Sequence, residues 1–368
     1  MPKRKEAELV QPPPREIEAP KPFIGQKHVV DYFARIGPDG LAHAYLFHGP
    51  RGVGKRSFAK ALALTLHCEK PKSFPLGYDG VCGPCRRGIA GSSGDLIIVD
   101  DAFIHAADAL AGKPERKTSD FGIEASRRII QLMEMKSYEG GRLVAIVPDF
   151  DSVTGLEAYN ALLKELEEPD PGKLFLITTE RPESIIETIR SRTVGVRFDR
   201  LSESEIADQL VSEYGQTKTK AAAIAKRSLG SLGHAIEELD EDSAALREGA
   251  RGWFLACLRD PGKLPPIPAL DKDDREVARS QLDEVLRESR ITARDLMVTA
   301  LGSDSLAFDR ASVADYTKTA KVLGSGAHAR AAVAIAAINE AERLNSTTNV
   351  TPASILGWLQ IQLRSLTA

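Results

Sequence analysis

The sequence predicts an α/β domain followed by an all-helical region, and three observations carry that expectation. Short apolar runs alternate with helix-period stretches from Phe23 to Phe198, one of those runs leads straight into a glycine-rich turn, and the text after Leu201 is almost wholly helical in period. At 368 residues the chain is too long for one compact core and suits two or three domains, each large enough to bury most of its apolar surface.

The elements follow in order. Residues 1–22 hold six prolines among mixed charges, a composition that cannot bury a core, so an extended, mobile arm is expected there. Ala44-Tyr45-Leu46-Phe47-His48 reads as a strand, and Ser57 to His67 as a helix with Phe58, Leu62 and Leu66 on one face. Between them lies Gly49-Pro50-Arg51-Gly52-Val53-Gly54-Lys55. Strand, glycine turn and helix are the order a phosphate-gripping loop needs. Its glycines let backbone N–H groups crowd around phosphate oxygens, and its lysine neutralises the β/γ charge. The next residue is Arg56, where the pattern GxxxxGK[ST] places the hydroxyl that holds Mg²⁺. Ser57 comes one residue late, which on a helix turns its side chain by about 100°. Gly49, Gly52, Gly54, Lys55, Arg56 and Ser57 together therefore read as a nucleotide grip that lacks its magnesium ligand.

Leu143 to Val147 reads as a buried-type strand that runs on through Pro148 to an acid, Asp149, the candidate carboxylate for the metal side of such a site. Phe150 follows where many ATPases place a water-activating glutamate, and a phenyl ring takes no proton. Asp151 is a substitute whose direction the sequence leaves open. Pro148 lacks a ladder N–H, which is tolerable only at a strand end. Leu156, Tyr159, Leu162, Leu163 and Leu166 form the apolar stripe of an amphipathic helix. Leu174 to Thr179 is a further strand. Ser202 is a candidate N-cap, with Glu205 at the capping-box position. A seam follows near Asp240 to Ser243, and the remaining helical text is broken at residues 261–268, at Gly324-Ser325-Gly326 and at Thr351-Pro352.

Composition narrows the function classes. Lys+Arg number 49 against 52 Asp+Glu, so a broad cationic surface for nucleic acid is not expected. Lys113-Pro114-Glu115-Arg116-Lys117 and Arg127-Arg128 are the best local basic spots, and they read as a solvated loop and a polar helix face. No apolar run approaches the roughly eighteen residues of a membrane span, and the N-terminus has no signal-peptide core, so a cytoplasmic protein without membrane partners is expected. Four cysteines in such a chain argue against a disulfide framework and towards metal binding or plain burial.

The run Ala158-Tyr159-Asn160-Ala161-Leu162-Leu163-Lys164-Glu165-Leu166-Glu167-Glu168-Pro169 closely resembles the helix NALLKxLEEP shared by the AAA+ clamp-loader subunits of bacterial DNA polymerase III. The surroundings agree with that resemblance. Tyr138-Glu139-Gly140-Gly141 precedes the acid-ending strand, Leu174 to Thr179 stands where the family has its sensor strand, and Ile189-Arg190-Ser191-Arg192 where it has its serine-arginine motif. The likeness is strong from Phe23 to Phe198 and architectural beyond.

It implies a doubly wound parallel sheet of strand order 5-1-4-3-2 over residues 23–200, a small helical lid over 201–240 and an all-α collar over 241–368 that joins subunits in a ring. It implies that Arg192 is an arginine finger reaching a neighbour's ATP, with Thr193 where cysteine is usual. It also implies a γ-phosphate reader in a Gly-Ser-x-Arg motif, and in Gly230-Ser231-Leu232-Gly233 that position is Gly233. Arg56, Phe150 and Gly233 are three departures at one site. They point to a stator-like subunit relieved of hydrolysis, its loop empty or holding ATP or ADP without turnover, rather than a motor of gamma/tau type. The implied partners are gamma/tau and delta subunits, with the sliding clamp and primer-template DNA met through the complex. Polymerisation chemistry would belong to the alpha subunit. Cys68, Cys82 and Cys85 resemble the family's four-cysteine zinc insertion, whose last position is Gly88 here, with His67 as an alternative ligand. Zinc completed by water or an outside ligand and a metal-free remnant both stay open. So do two other functions, an active ATPase using Ser57 or water with Asp151, and a nucleotide-sensing adaptor outside replication.

Overall fold

Five short strands line up in parallel, and the segments between them supply helices for both faces. The computed structural model describes residues 22–113, 121–138, 141–150, 153, 155–167, 170–260, 262, 265–348 and 350–367. The expected arm up to residue 21, Pro114 to Lys117, Glu139-Gly140, Asp151 and Glu168-Pro169 lie outside the described residues.

The first part of the chain runs α1 (Lys27–Ile36), β1 (Ala44–His48), α2 (Lys55–His67), α3 (Gly83–Ile89), β2 (Leu96–Ile98), α4 (Asp101–Leu110), α5 (Ile123–Met133) and β3 (Leu143–Val147). It continues with α6 (Leu156–Glu167), β4 (Lys173–Thr179), α7 (Glu187–Arg190), β5 (Val194–Arg197) and α8 (Glu203–Tyr214). The sheet order is β2-β3-β4-β1-β5 and every neighbouring pair is parallel, the doubly wound order expected from the resemblance. In register, Leu46 of β1 stands opposite Ile177 of β4 and Gly195 of β5, and Ala145 of β3 opposite Ile97 of β2 and Phe175 of β4.

Side chains alternate across the pleat, so each central strand feeds two cores. Ala44, Leu46, Ala145, Val147, Phe175 and Ile177 pack on one face with Ile129 of α5 and Leu162 and Leu166 of α6. Tyr45, Phe47, Val144, Ile146, Leu174 and Leu176 pack on the other with Phe33 of α1 and Phe58 and Leu62 of α2. Because β1, β4 and β3 are adjacent and parallel, the turns leaving their C-terminal ends emerge along one edge of the sheet, where α/β proteins place ligands. The helix start read from the sequence at Ser202 is a full capping box: Ser202 Oγ accepts from the Glu205 N–H, and the Glu205 carboxylate accepts from the Ser202 N–H.

Contacts divide the chain into two compact units, residues up to 215 with 230–233, and residues 216–229 with 234–368. The second unit is built from α9 (Lys218–Arg227), α10 (Leu232–Glu237), α11 (Glu241–Arg259), α12 (Arg275–Ala300), α13 (Val313–Leu323), α14 (Ala327–Thr347) and α15 (Pro352–Ser365), α10 entering it from His234 onward. Its core joins Phe254 and Leu258 of α11, Leu282, Leu286 and Leu296 of α12, Tyr316 of α13, Ala334 and Ile338 of α14 and Leu359 of α15. No helix among the described residues is long and apolar enough to cross a membrane.

Candidate nucleotide loop and metal centre

The turn from β1 to α2 takes φ values of 138° at Gly49, 71° at Gly52 and 100° at Gly54, a left-handed path that glycine follows without strain. Lys55, buried at the start of α2, turns its ammonium back on the loop and donates to Gly49 O and Pro50 O, each at 2.7 Å. Arg56 and Ser57 are both exposed on the first turn of α2. At the base of the loop, burial, followed by the charges of Arg197 and Lys55, lowers the pKa of His48, so the imidazole is neutral at pH 7.

Gly233 does more than lack an arginine. Its N–H donates to Gly52 O at 2.9 Å, and a β-carbon on Gly52 would lie 2.2 Å from Ser231 Oγ and 3.0 Å from the Gly233 Cα. Only two residues without side chains can come this close. Leu201 N–H holds the same segment through Gly230 O at 2.9 Å. Sequence reasoning also passed over Gln26. Its buried amide donates to Asp199 O at 2.5 Å and Val53 O at 3.3 Å and accepts from Asp199 N–H at 2.9 Å, tying the start of α1, the loop and the exit of β5 together. A polar residue directly after Gly25 and ahead of an amphipathic helix was the available signal.

At the end of β3, Asp149 is exposed, has φ 48°, and donates its N–H to Thr178 Oγ1 of β4 at 3.1 Å. Phe150 is fully buried, its ring 5.9 Å from Phe121 and 5.2 Å from Tyr159 in near edge-to-face contact. The residue in the glutamate position is thus a core aromatic, and the Tyr159 hydroxyl donates to its carbonyl at 3.3 Å. Arg192 follows α7 and is part-exposed. Its Nη1 donates to Thr188 O at 2.7 Å and Ser191 Oγ at 3.3 Å, and its Nη2 lies 2.6 Å from Glu167 at the end of α6. The basic spots are paired locally, Lys113 and Arg127 with Glu124 at 3.2 Å each and Arg128 with Gln131 at 2.8 Å.

The cysteines converge, and a residue not named as a ligand joins them. Ligand atoms of Cys68, Asp79, Cys82 and Cys85 all lie within 4.8 Å of one another. The fourth group expected at Gly88 stands instead at the head of the pattern, as Asp79-x2-Cys82-x2-Cys85. Gly88 is packed where a β-carbon would be 2.6 Å from Leu64 Cδ2, and His67 Nε2 pairs with Arg142 O at 2.7 Å. Asp79 Oδ1 accepts from the N–H groups of Cys82 at 3.0 Å and Val81 at 2.9 Å, which fixes the carboxylate and holds its pKa far below the usual range. Asp79 N–H points at Cys68 Sγ from 3.4 Å. Burial, with the neighbouring Cys82 thiol, pushes the Cys85 thiol well up. Tetrahedral zinc with bonds of about 2.3 Å to sulfur needs sulfurs about 3.8 Å apart, and Cys68 Sγ and Cys82 Sγ are 4.0 Å apart. Three sulfurs and a carboxylate at this spacing suit zinc. The Asp-x2-Cys-x2-Cys spacing was the signal in the sequence.

Residues 25–202 match the family described as DNA polymerase III, delta subunit. The DNA polymerase III subunit delta' of Pseudomonas aeruginosa is 31% identical over 153 residues, 42% of this chain and 42% of that protein. The subunit tau of Salmonella typhimurium is 28% identical over 312 residues, 78% of this chain and 46% of that protein. The gamma/tau subunit of Mycobacterium bovis is 33% identical over 173 residues, 46% of this chain and 27% of that protein. This chain spans less than half the length of these curated relatives. Among solved structures, a gamma subunit-related protein of Thermotoga maritima covers 93% of this chain and 98% of its own at 14% identity, with a TM-score of 0.37.

Proposed function

We propose, from the match of residues 25–202 to the family described as DNA polymerase III, delta subunit, that this chain is an AAA+ clamp-loader subunit of DNA polymerase III and acts as a delta-prime-type stator. In this reading it is part of a ring with gamma/tau and delta subunits that loads the sliding clamp onto primed DNA. It supplies Arg192 to a neighbour's ATP and turns over none of its own. The observation that carries the reading is the backbone contact of Gly233 with Gly52, which fills the place of a γ-phosphate reader with the chain's own glycines. Exposed Arg56 in the magnesium-hydroxyl position and the buried ring of Phe150 support it. Its loop turns over no ATP, and a nucleotide bound there stays an unreacted ligand gripped by Lys55. Asp149 has no water-activating neighbour at Phe150.

The isolated chain is expected to show no magnesium-dependent ATPase above background. In a ring reconstituted with gamma/tau and delta, Arg192→Ala is expected to lower DNA-stimulated ATPase at the adjoining site by about tenfold or more, as for other arginine fingers. A ring indifferent to Arg192→Ala overturns the reading. The long alignment to subunit tau favours a second one, a working motor. Turnover by the isolated chain that is lost on Lys55→Ala would establish it.

We also propose that Cys68, Asp79, Cys82 and Cys85 hold a structural zinc ion. Bound there, it would cross-link the end of α2 to α3 and the loop between them.

A further inference from the structure

We infer that Glu167 is the positioning residue for Arg192, an inference that rests on the proposed finger role. An arginine on a surface turn has several rotatable bonds, and a finger that samples them all meets a phosphoryl group in the right pose only part of the time. Here the guanidinium is held from both sides. Nη1 is committed to Thr188 O at 2.7 Å and to Ser191 Oγ at 3.3 Å, both on its own turn. Nη2 is drawn by Glu167 at 2.6 Å, which comes from a different element, the last residue of α6. Of the five N–H donors of a guanidinium, the Nε–H and one on Nη2 have no partner among the described residues. A fork of two donors is what a phosphoryl group binds with bidentate geometry. Glu167 thus holds the side chain through a single nitrogen and leaves the Nε–H without a partner among the described residues.

The pair is also suited to this task because it contributes little else. Arg192 and Glu167 side chains are 33% and 47% exposed, and ion pairs so open to water add little to folding stability. Losing Glu167 should therefore leave the fold intact and free the arginine to wander.

The experiment uses the ring reconstituted with gamma/tau and delta, measuring kcat and KM for ATP in the presence of primed DNA. Glu167→Ala is expected to lower kcat about fivefold with KM nearly unchanged, and Glu167→Gln, which keeps an acceptor of the same shape, to retain more than half of the wild-type rate. The double variant with Arg192→Ala should be no slower than Arg192→Ala alone, because both changes remove the same contact. A purely structural role would instead lower the unfolding temperature or ring assembly and would multiply with Arg192→Ala. If Arg192→Ala is slow while Glu167→Ala matches or exceeds the wild type, or if the two losses multiply, this inference falls and the finger stands. If Arg192→Ala is itself silent, both fall.

Discussion

A β-carbon added to Gly233 would sit 2.8 Å from the Gly52 Cα, closer than such atoms approach without one backbone moving. Gly233→Ala should therefore separate the 230–233 segment from the phosphate loop. The expected cost is about 1–2 kcal/mol of stability, in the range of single substitutions that strain a close backbone contact. It should appear as faster hydrogen exchange at the Gly233 amide, which now donates to Gly52 O. Unchanged exchange there would mean the contact is not maintained in solution. Asp79 carries a separate prediction. The chain should bind one zinc ion, and Asp79→Ala should release it at a lower concentration of chelator than the wild type, whereas Asp79→Cys should hold it more tightly. Equal chelator sensitivity of wild type and Asp79→Ala would remove Asp79 from the ligand set. Neither role was visible residue by residue. Gly233 shows in the sequence only as a missing arginine, and Asp79 only as an acid three residues before a cysteine.

Elements were the most legible scale. The β1 strand, the loop after it, the α6 stripe and the Ser202 capping box are all set by local patterns, apolar period and hydrogen-bond chemistry within a few residues, and the structure has each in place. The buried charges of the helical unit were not legible, because their partners come from distant helices. Arg227 of α9 meets Glu238 at 3.1 Å and Glu288 of α12 at 2.5 Å. Burial works against the Arg227 cation, yet Glu288 and Glu238 more than offset it and raise its pKa. Glu288 is buried more deeply, and that burial outweighs the charges of Arg227 and Arg251 and keeps its own pKa above the usual 4.5. A carboxyl whose folded pKa is raised binds its proton more tightly in the folded state. Its contribution is complete below 4.5 and is lost as pH rises through the folded value. Denaturant unfolding of wild type and Glu288→Gln across that range should give a stability difference that shifts against the wild type as pH rises. A flat difference would mean that Glu288 titrates as a free carboxyl.

For the whole molecule, order along the chain and order in space part company. The sequence separates an α/β region from a helical one, and each builds a core of its own, one on the two faces of the sheet and one around α12. The boundary between the compact units falls three times inside the stretch after α8, so that residues 216–229 belong with the helices, 230–233 with the sheet and the chain from 234 with the helices again. No local pattern marks this, since the four residues 230–233 join the first unit through Gly52 and Leu201, far away in sequence. By itself, the sequence determined the strands β1, β3 and β4, the helices α2, α6 and the start of α8, the glycine loop, the lack of a hydroxyl at Arg56 and the acid-to-aromatic change at Phe150. These are properties of single positions and short periods, which need no knowledge of distant neighbours. Tertiary structure alone decided that Phe150 is core, that Gly233 closes on Gly52, that Asp79 completes the cysteine cluster and that Glu167 reaches Arg192. Each of these is a contact between residues that only the folded backbone brings together, and sequence spacing carries no distance between elements.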